Sequence, residues 1–370
     1  MRIAQVSPLY ESVPPQHYGG TERIVSHLTE ELVAQGHEVT LFASGDSKTS
    51  ARLVPCSERS LRTDPDCRDQ LAHHVVMLGR VARHARAFDL IHYHVDYMHF
   101  PSSRLVGTPQ VTTLHGQLGL PDLEPLYREY SDMPLVSISD AQREPLPWAR
   151  WVATVHHGLP AGQLRFRPGP GRYLAFLGRI SPEKRVDRAI EIARLAGLPL
   201  RIAAKIDRAD RDYFDAVIRP MLRGPQIEYV GEIGDHEKED FLGEAVALLF
   251  PIDWAEPFGL VMIEALACGT PVIAWPHGSV REIIEDGVTG FIVEGRGAAA
   301  EAVQRAPQLS RERCRAVFEQ RFTAQRMARD YLAVYRGLLG RAPSGRARGA
   351  RHAAGGGAAP PRGRSHGAGA

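Results

Sequence analysis

A chain of 370 residues is too long for one compact α/β core and suits two, since domains commonly hold about 100–200 residues. Its 44% apolar and 24% charged residues are an ordinary globular balance, and no apolar run reaches the roughly 20 residues that span a bilayer. The formal charge of +2 is unevenly spread: six arginines and no carboxylates lie beyond residue 340, so residues 1–340 carry −4, which argues against a nucleic-acid platform.

In chain order, residues 3–6 read as a strand from the outset rather than as a secretory leader. Cys56, Cys67, Cys268 and Cys314 form no CxxC pair, so reduced cysteines in a cytoplasmic protein are expected. A polar loop then leads through Gly19-Gly20 to a helix over 21–35, with Ile24, Val25, Leu28, Leu32 and Val33 at helical spacing and Gly36 as its stop. A strand over 37–42 follows, then a basic helical stretch over 68–88. That stretch carries an apolar set at Leu71, Val75, Leu78 and Ala82. An ordinary helix against the sheet is the preferred reading, with peripheral contact to an anionic membrane as the alternative. Further short apolar runs at 90–94, 110–114, 135–138 and 152–156 complete a series of βα units, which implies a parallel sheet covered on both faces.

The segment Arg167-Pro168-Gly169-Pro170-Gly171-Arg172 reads as a stiff hinge, after which a second βα series begins at 173–177. Its later strands are predicted at 200–204, 227–230, 247–251, 271–274 and 291–293. The fold class is therefore α/β, with two Rossmann-like domains facing a cleft. The expected units are residues 1–165, 166–310, a helical segment over 311–340 and a disordered Ala/Gly/Arg/Pro tail over 341–370.

Two segments carry chemistry. From Glu256 to Pro271 a helical pattern opens with Pro257 and closes at Gly269, and Glu264 sits among apolar residues, where a carboxylate is costly unless hydrogen-bonded. Eight helical residues would hold Glu256 and Glu264 about 12 Å apart, too far for the carboxylate pair of a glycosidase. They suit two ends of an extended ligand, with the free N–H groups near Phe258, Gly259 and Leu260 meeting phosphate between them. In the second segment Gly178 and Arg179 leave the carboxyl end of a strand, and Ser181 and Pro182 look like the start of a helix with Lys184 in its first turn. A cation there opposes the helix dipole, and an anion held by Arg179 and Lys184 would remove the conflict. Gly19-Gly20 is a third phosphate candidate, although the G-x-G-x-x-G fingerprint of a dehydrogenase is absent.

Together these segments resemble the glycosyltransferase family 4 enzymes, retaining transferases of the GT-B fold and of the glycosyl transferases group 1 type. The likeness is strongest from Leu177 to Gly290, through the E-x7-E pattern of Glu256 and Glu264 followed by Ala-Cys-Gly-Thr-Pro-Val-Ile-Ala at 267–274. The resemblance implies that Glu256 contacts the hydroxyls of the donor sugar and Glu264 the ribose. It implies that Arg179, Lys184 and the Gly19-Gly20 loop hold the donor diphosphate, and that His115, in Val-Thr-Thr-Leu-His-Gly, lies beside the anomeric carbon. The family's later Gly-rich loop reads Trp275-Pro276-His277-Gly278 here, with His277-Gly278 where Gly-Gly is common. The resemblance further implies a C-terminal helix that returns to the N-terminal domain. Its expected activity is transfer of a hexose from a nucleotide sugar, UDP-glucose first, with no cofactor and no metal. Asp64-Pro65-Asp66 and Asp210-Arg211-Asp212 match DxD but read as surface turns or helix.

His94 and Asp96, at the end of a strand, are acceptor-binding candidates, and residues 93–101 and 117–130 are where acceptor loops are expected. Two rivals stand beside the transferase. A two-His-one-carboxylate iron site using His92, His94 and Asp96 would make an oxygenase. A nucleotide-sugar epimerase or hydrolase would keep the fold and change the reaction.

Overall fold

The computed structural model of the chain describes residues 1–16 and 19–341. From residue 342 onward the tail expected to be disordered lies outside them. The first sheet contains β1 (Arg2–Val6), β2 (Glu38–Ser44), β3 (Arg52–Ser57), β4 (Leu90–Tyr93), β5 (Gln110–Thr113), β6 (Leu135–Ser137) and β7 (Trp151–Thr154). All its pairings are parallel, in the order β3-β2-β1-β4-β5-β6-β7. Between the strands lie α1 (Gly20–Ala34), α2 (Gln70–His84), α3 (Phe100–Ser103) and α4 (Leu123–Glu129). The second sheet is also fully parallel and comprises β8 (Tyr173–Arg179), β9 (Leu200–Lys205), β10 (Ile227–Gly231), β11 (Ala245–Phe250), β12 (Val272–Ala274) and β13 (Gly290–Ile292). Its order is β10-β9-β8-β11-β12-β13.

Helices α5 (Val186–Ala196), α6 (Arg211–Tyr213), α7 (Arg219–Met221), α8 (Asp235–Gly243), α9 (Leu260–Ala267), α10 (Val280–Ile283) and α11 (Arg296–Arg305) flank this second sheet. A π-helical turn at Phe214–Ile218 joins α6 to α7. The single helical region expected at the C-terminus is two helices, α12 (Arg311–Arg321) and α13 (Ala324–Arg341). They part at Phe322–Thr323 because the chain there crosses between domains and pairs with Leu159. The approach is close: a Cβ on Gly158 would lie 2.2 Å from the Thr323 carbonyl oxygen.

Strands covered on both faces bury nearly every side chain, and Ile3, Ala4 and Val6 of β1 are fully enclosed. Helix α1 packs Ile24, Leu28 and Leu32 on this sheet, and α13 adds Met327, Ala328, Tyr331, Leu332 and Tyr335 to the same core. The C-terminal helix thus returns to the first domain. Before the crossing, Arg311 fastens α12 to the second domain by donating to the carbonyls of Arg167, Gly243 and Ala245 and to the Thr270 hydroxyl at 2.7–2.9 Å.

Two local readings need correction. Strand β3 was not foreseen, because Pro55 interrupts its pattern; at a sheet edge the missing N–H does no harm, and Arg80 binds the Pro55 carbonyl at 2.8 Å. Helix α2 does not bury the apolar set Leu71, Val75, Leu78 and Ala82 as one face. It buries His74, Met77, Leu78 and Val81, while Leu71 and Val75 are about 60% exposed. His74 takes the interior place because its ring bridges the Leu9 N–H (3.1 Å) and the Gln70 carbonyl (2.8 Å). No helix among the described residues is long and apolar enough to cross a membrane.

Candidate active site

The carboxyl ends of both sheets face one cleft of about 470 Å³, where ligands of open α/β sheets are expected to bind. The residues expected to bind donor or acceptor all line it: Gly19, Gly20, His94, Asp96 and His115 on one wall, Gly178, Arg179, Lys184, Glu256, Phe258, Gly259, Leu260 and Glu264 on the other.

Arg179 ends β8, and its register partner Lys205 ends β9, so two cations enter the cleft side by side. Arg179 binds Glu183 at 2.6 Å and lies 3.7 Å from both Asp207 and Asp210. Asp210-Arg211-Asp212, expected in a surface turn or helix, lies in short helical turns, where Asp210 also faces Arg179 and burial raises its carboxyl above the ordinary range. Asp64-Pro65-Asp66 does form a turn, closed by the Asp66 N–H on the Asp64 carboxylate at 3.1 Å.

The expected helix start at Ser181 is not there. Pro182–Lys184 is a 3-10 turn, and Arg185 adopts the left-handed conformation (φ 57°), so α5 begins only at Val186. Ion pairs to Asp187 (2.7 Å) and Asp253 (2.8 Å) hold Arg185 in that conformation. Lys184 is therefore not in a helix turn opposing a dipole. Its ammonium points into the cleft, pairs with Glu256 and sits 4.8 Å from the Trp254 ring centroid.

Pro257 likewise precedes the helix rather than opening it. Helix α9 starts at Leu260, with Gly259 at its N-cap in the left-handed region (φ 79°). Glu256 is thus a loop residue, and only Glu264 is helical, so the separation worked from eight helical residues does not apply. Glu256 also accepts from Trp254 Nε1 at 3.0 Å, and its carbonyl accepts the Ser279 N–H at 3.0 Å. Gly278 (φ 57°) makes that close approach feasible: a Cβ there would lie 2.2 Å from the Glu256 carbonyl oxygen. The His277-Gly278 departure therefore retains the glycine that matters. Glu264 is 3% exposed and is held by Lys238 Nζ at 2.8 Å. Lys238 also reaches Asp235 (3.3 Å), which pairs across the cleft with Arg23 of α1.

On the opposite wall, Asp96 follows β4 in the left-handed region (φ 48°), which Asp tolerates better than most residues. Its carboxylate accepts the backbone N–H of His115, and burial pushes it up to about 6. His115 follows β5; burial depresses its ring to about 3, so the imidazole is neutral. His115 Nε2 lies 2.9 Å from His94 Nδ1, and His94 Nε2 lies 2.8 Å from Gln5 Oε1. The Gln5 amide nitrogen in turn donates to the Tyr335 hydroxyl of α13 at 3.2 Å. In this arrangement His94 donates to Gln5 and accepts from His115, which leaves His115 Nδ1 as an enclosed acceptor without a partner among the described residues. His157 stacks on the His115 ring at 5.3 Å.

His94 therefore has no ring nitrogen left for an acceptor, and it supports His115 instead. His92 is equally occupied, by Tyr335 and Thr113 at 2.7 Å each, so neither histidine offers a lone pair to iron. Among the described residues no group of three or more His, Cys, Asp or Glu could hold a metal ion. Sequence reasoning missed Lys205, Lys238, Glu22, Trp254, Gln5 and Tyr335. Lys205, at a strand's carboxyl end, carried a usable signal, as did a glutamine inside the apolar strand β1.

The family description "Glycosyltransferase Family 4" matches residues 18–151, and "Glycosyl transferases group 1" matches residues 165–321, one on each domain. The chain is 28% identical over 404 aligned positions to a glycogen synthase of Mycobacterium tuberculosis, covering 91% of this chain and 96% of that one. It is 26% identical over 359 positions to a D-inositol 3-phosphate glycosyltransferase of Streptomyces avermitilis, covering 77% and 74%. The solved structure of Anabaena HepE in complex with UDP and glucose superimposes with a TM-score of 0.71 at 18% identity, over 91% of this chain and 100% of that one.

Proposed function

The chain belongs to glycosyltransferase family 4, and on that premise we propose that it transfers a hexose from a nucleotide sugar to a hydroxyl acceptor with retention of configuration. UDP-glucose is the first donor to test, because the HepE structure is in complex with UDP and glucose. The observation that carries the reading is the division of labour along one wall of the cleft. Glu264, enclosed and held by Lys238, is placed to accept the ribose hydroxyls. Arg179, Lys184, Lys205 and the N-terminus of α9 line the same cleft and are the groups that would hold the diphosphate, with Glu256 assigned to the sugar.

The chemistry follows from where charge develops. As the glycosidic C–O bond breaks, negative charge grows on the leaving diphosphate. Fixed cations and helix-end N–H groups already aimed at that charge stabilise the transition state without reorganising. The Lys184–Glu256 pair joins the ammonium assigned to the phosphate to the carboxylate assigned to the sugar. Neutral His115, with Nδ1 unengaged, can take a hydrogen bond from the donor sugar. The acceptor hydroxyl then attacks from the face the phosphate leaves, and the departing phosphate oxygen takes its proton. The side-chain cations already neutralise the diphosphate, so EDTA should leave turnover unchanged.

The test is unfolding of the purified protein against a panel of nucleoside diphosphates and their sugars. Stabilisation by one nucleotide series, with transfer then followed by product analysis, supports the assignment. Loss of both Arg179 and Lys184 should lower turnover more than donor affinity. Unchanged turnover in that double alanine variant would remove the leaving-group role. Free sugar as the sole product with every acceptor would favour a hydrolase.

A further inference from the structure

Three successive carbonyls of the loop that carries Glu256 are held from two directions. Those of Glu256 and Phe258 accept from Ser279, through its N–H at 3.0 Å and its hydroxyl at 2.7 Å. The Pro257 carbonyl between them accepts the hydroxyl of Ser139 at 2.6 Å, and Ser139 belongs to the first domain, just after β6. Ser139 is fully buried, so the bond is enclosed.

A contact in the opposite sense lies beside it. Glu282, on α10 of the second domain, reaches the residues that follow Ser139 in the first. Its two carboxylate oxygens accept the backbone N–H groups of Asp140 (2.8 Å) and Ala141 (2.9 Å), and one of them also meets His156 Nε2 at 3.0 Å. Burial works to raise the Glu282 carboxyl, but these bonds outweigh it and hold the group below its ordinary value. Ala141–Arg143 is a single 3-10 turn, and the N–H groups at its start have no partner within the turn. A carboxylate from the other domain therefore completes it.

The same turn fixes the backbone on both sides of His115. Gln142 is 5% exposed, and its amide nitrogen donates to the carbonyls of Leu114 (3.0 Å) and Gly116 (2.8 Å). Its amide oxygen accepts the Ile138 N–H at 2.9 Å. Both donors of the side chain and its acceptor are thus spent on backbone groups. The Gln142 N–H donates to Ser139 Oγ at 3.0 Å, the hydroxyl that binds Pro257. Hydrogen bonds therefore run without a break from α10 through the turn to His115, and from the turn back to the Glu256 loop.

We infer that Glu282 and Gln142 are positioning residues for the transfer: contact between the domains orders the turn at 139–142, and Gln142 then fixes His115 opposite the Glu256 loop. Neither side chain lines the cleft, so each acts through another residue. The inference rests on the reading that His115 and Glu256 meet the donor sugar. A displacement of about 1 Å at such a group can cost up to about a hundredfold in rate.

The experiment is hydrogen exchange of the full chain, followed by mass spectrometry, with release of UDP from UDP-glucose measured on the same proteins. Glu282→Ala, a change in the second domain, should speed exchange about tenfold in peptides covering 114–117 and 139–143, with β1 and β8 exchanging as in the parent. Gln142→Ala should do the same at 114–117 and lower kcat about tenfold, with KM for UDP-glucose within about twofold of the parent. Glu282→Gln keeps an oxygen for one N–H and should return exchange to within about threefold of the parent. Unchanged exchange at 114–117 in both alanine variants overturns the inference, as does loosening that Glu282→Gln fails to restore. Faster exchange at 114–117 with unchanged kcat leaves the coupling standing and removes His115 from the reaction. A parent that releases no UDP sinks the donor assignment, while the exchange data still decide the coupling.

Discussion

Replacing Glu22 by Gln tests whether the cleft trades stability for function. Burial raises this carboxyl from an ordinary 4.5 to about 7. A group whose folded value is raised is bound to its proton more tightly in the native state, so ionising it works against folding. The destabilisation is absent below the unfolded value and grows as pH rises toward the folded one. Raising the carboxyl to about 7 corresponds to about 3 kcal/mol once pH exceeds 7, and to about 1 kcal/mol at pH 5. Glutamine is neutral throughout and keeps an oxygen for the Glu11 N–H, so it escapes this term. The variant should therefore be more stable than the parent by about 1 kcal/mol at pH 5, widening to about 3 kcal/mol at pH 8. Urea unfolding of both proteins at pH 5, 6, 7 and 8 reads the difference directly. A gap that stays flat over that range, or a parent more stable at pH 8, would refute the argument that an enclosed, ionised Glu22 burdens the fold.

Other outcomes follow from the same geometry. Glu264→Ala should abolish stabilisation by UDP, which for the parent reaches about 2.7 kcal/mol at a hundredfold excess over Kd; a retained shift would place the ribose elsewhere. Gly278→Ala adds a Cβ 2.2 Å from the Glu256 carbonyl at a left-handed position, at a backbone cost of about 1–2 kcal/mol. It should lower kcat about tenfold by shifting the Glu256 loop, with a smaller loss of UDP stabilisation than in Glu264→Ala, since Glu264 and Lys238 lie on other elements. Arg311→Ala deletes the bonds that fasten α12 to the second domain and should cost about 2–4 kcal/mol in urea unfolding. A change under about 0.5 kcal/mol would mean that water replaces the guanidinium there.

Local pattern was enough for the alternation of strand and helix, the two sheets and the membership of the cleft. The residues concerned sit at strand ends, and the strand pattern is strong. It failed where a distant partner decides the backbone. Arg185 is left-handed because Asp253, far along the chain, pairs with it, and that conformation turns Lys184 toward Glu256. The Glu256 loop leans on Gly278, which arrives after an intervening helix and strand. On α2 a histidine displaced apolar residues from the interior, because the Leu9 N–H needed an acceptor. The support of His115 runs through Gln5 to Tyr335, residues from opposite ends of the chain, and no periodicity connects them.

The return of α13 to the first domain also sets the order in which the protein can be completed. Residues 327–335 fill the space beside Ile3, Ile24 and Leu28, so the first core to emerge during synthesis is the last to close. A nascent chain released or cleaved near residue 323 would keep both sheets yet leave the face of α1 uncovered and His92 without its tyrosine. Before that point the other cores of the first domain can close, and only the one beside α1 waits for α13. Maturation of the His115 side of the cleft is in this way a report that translation has run through residue 335.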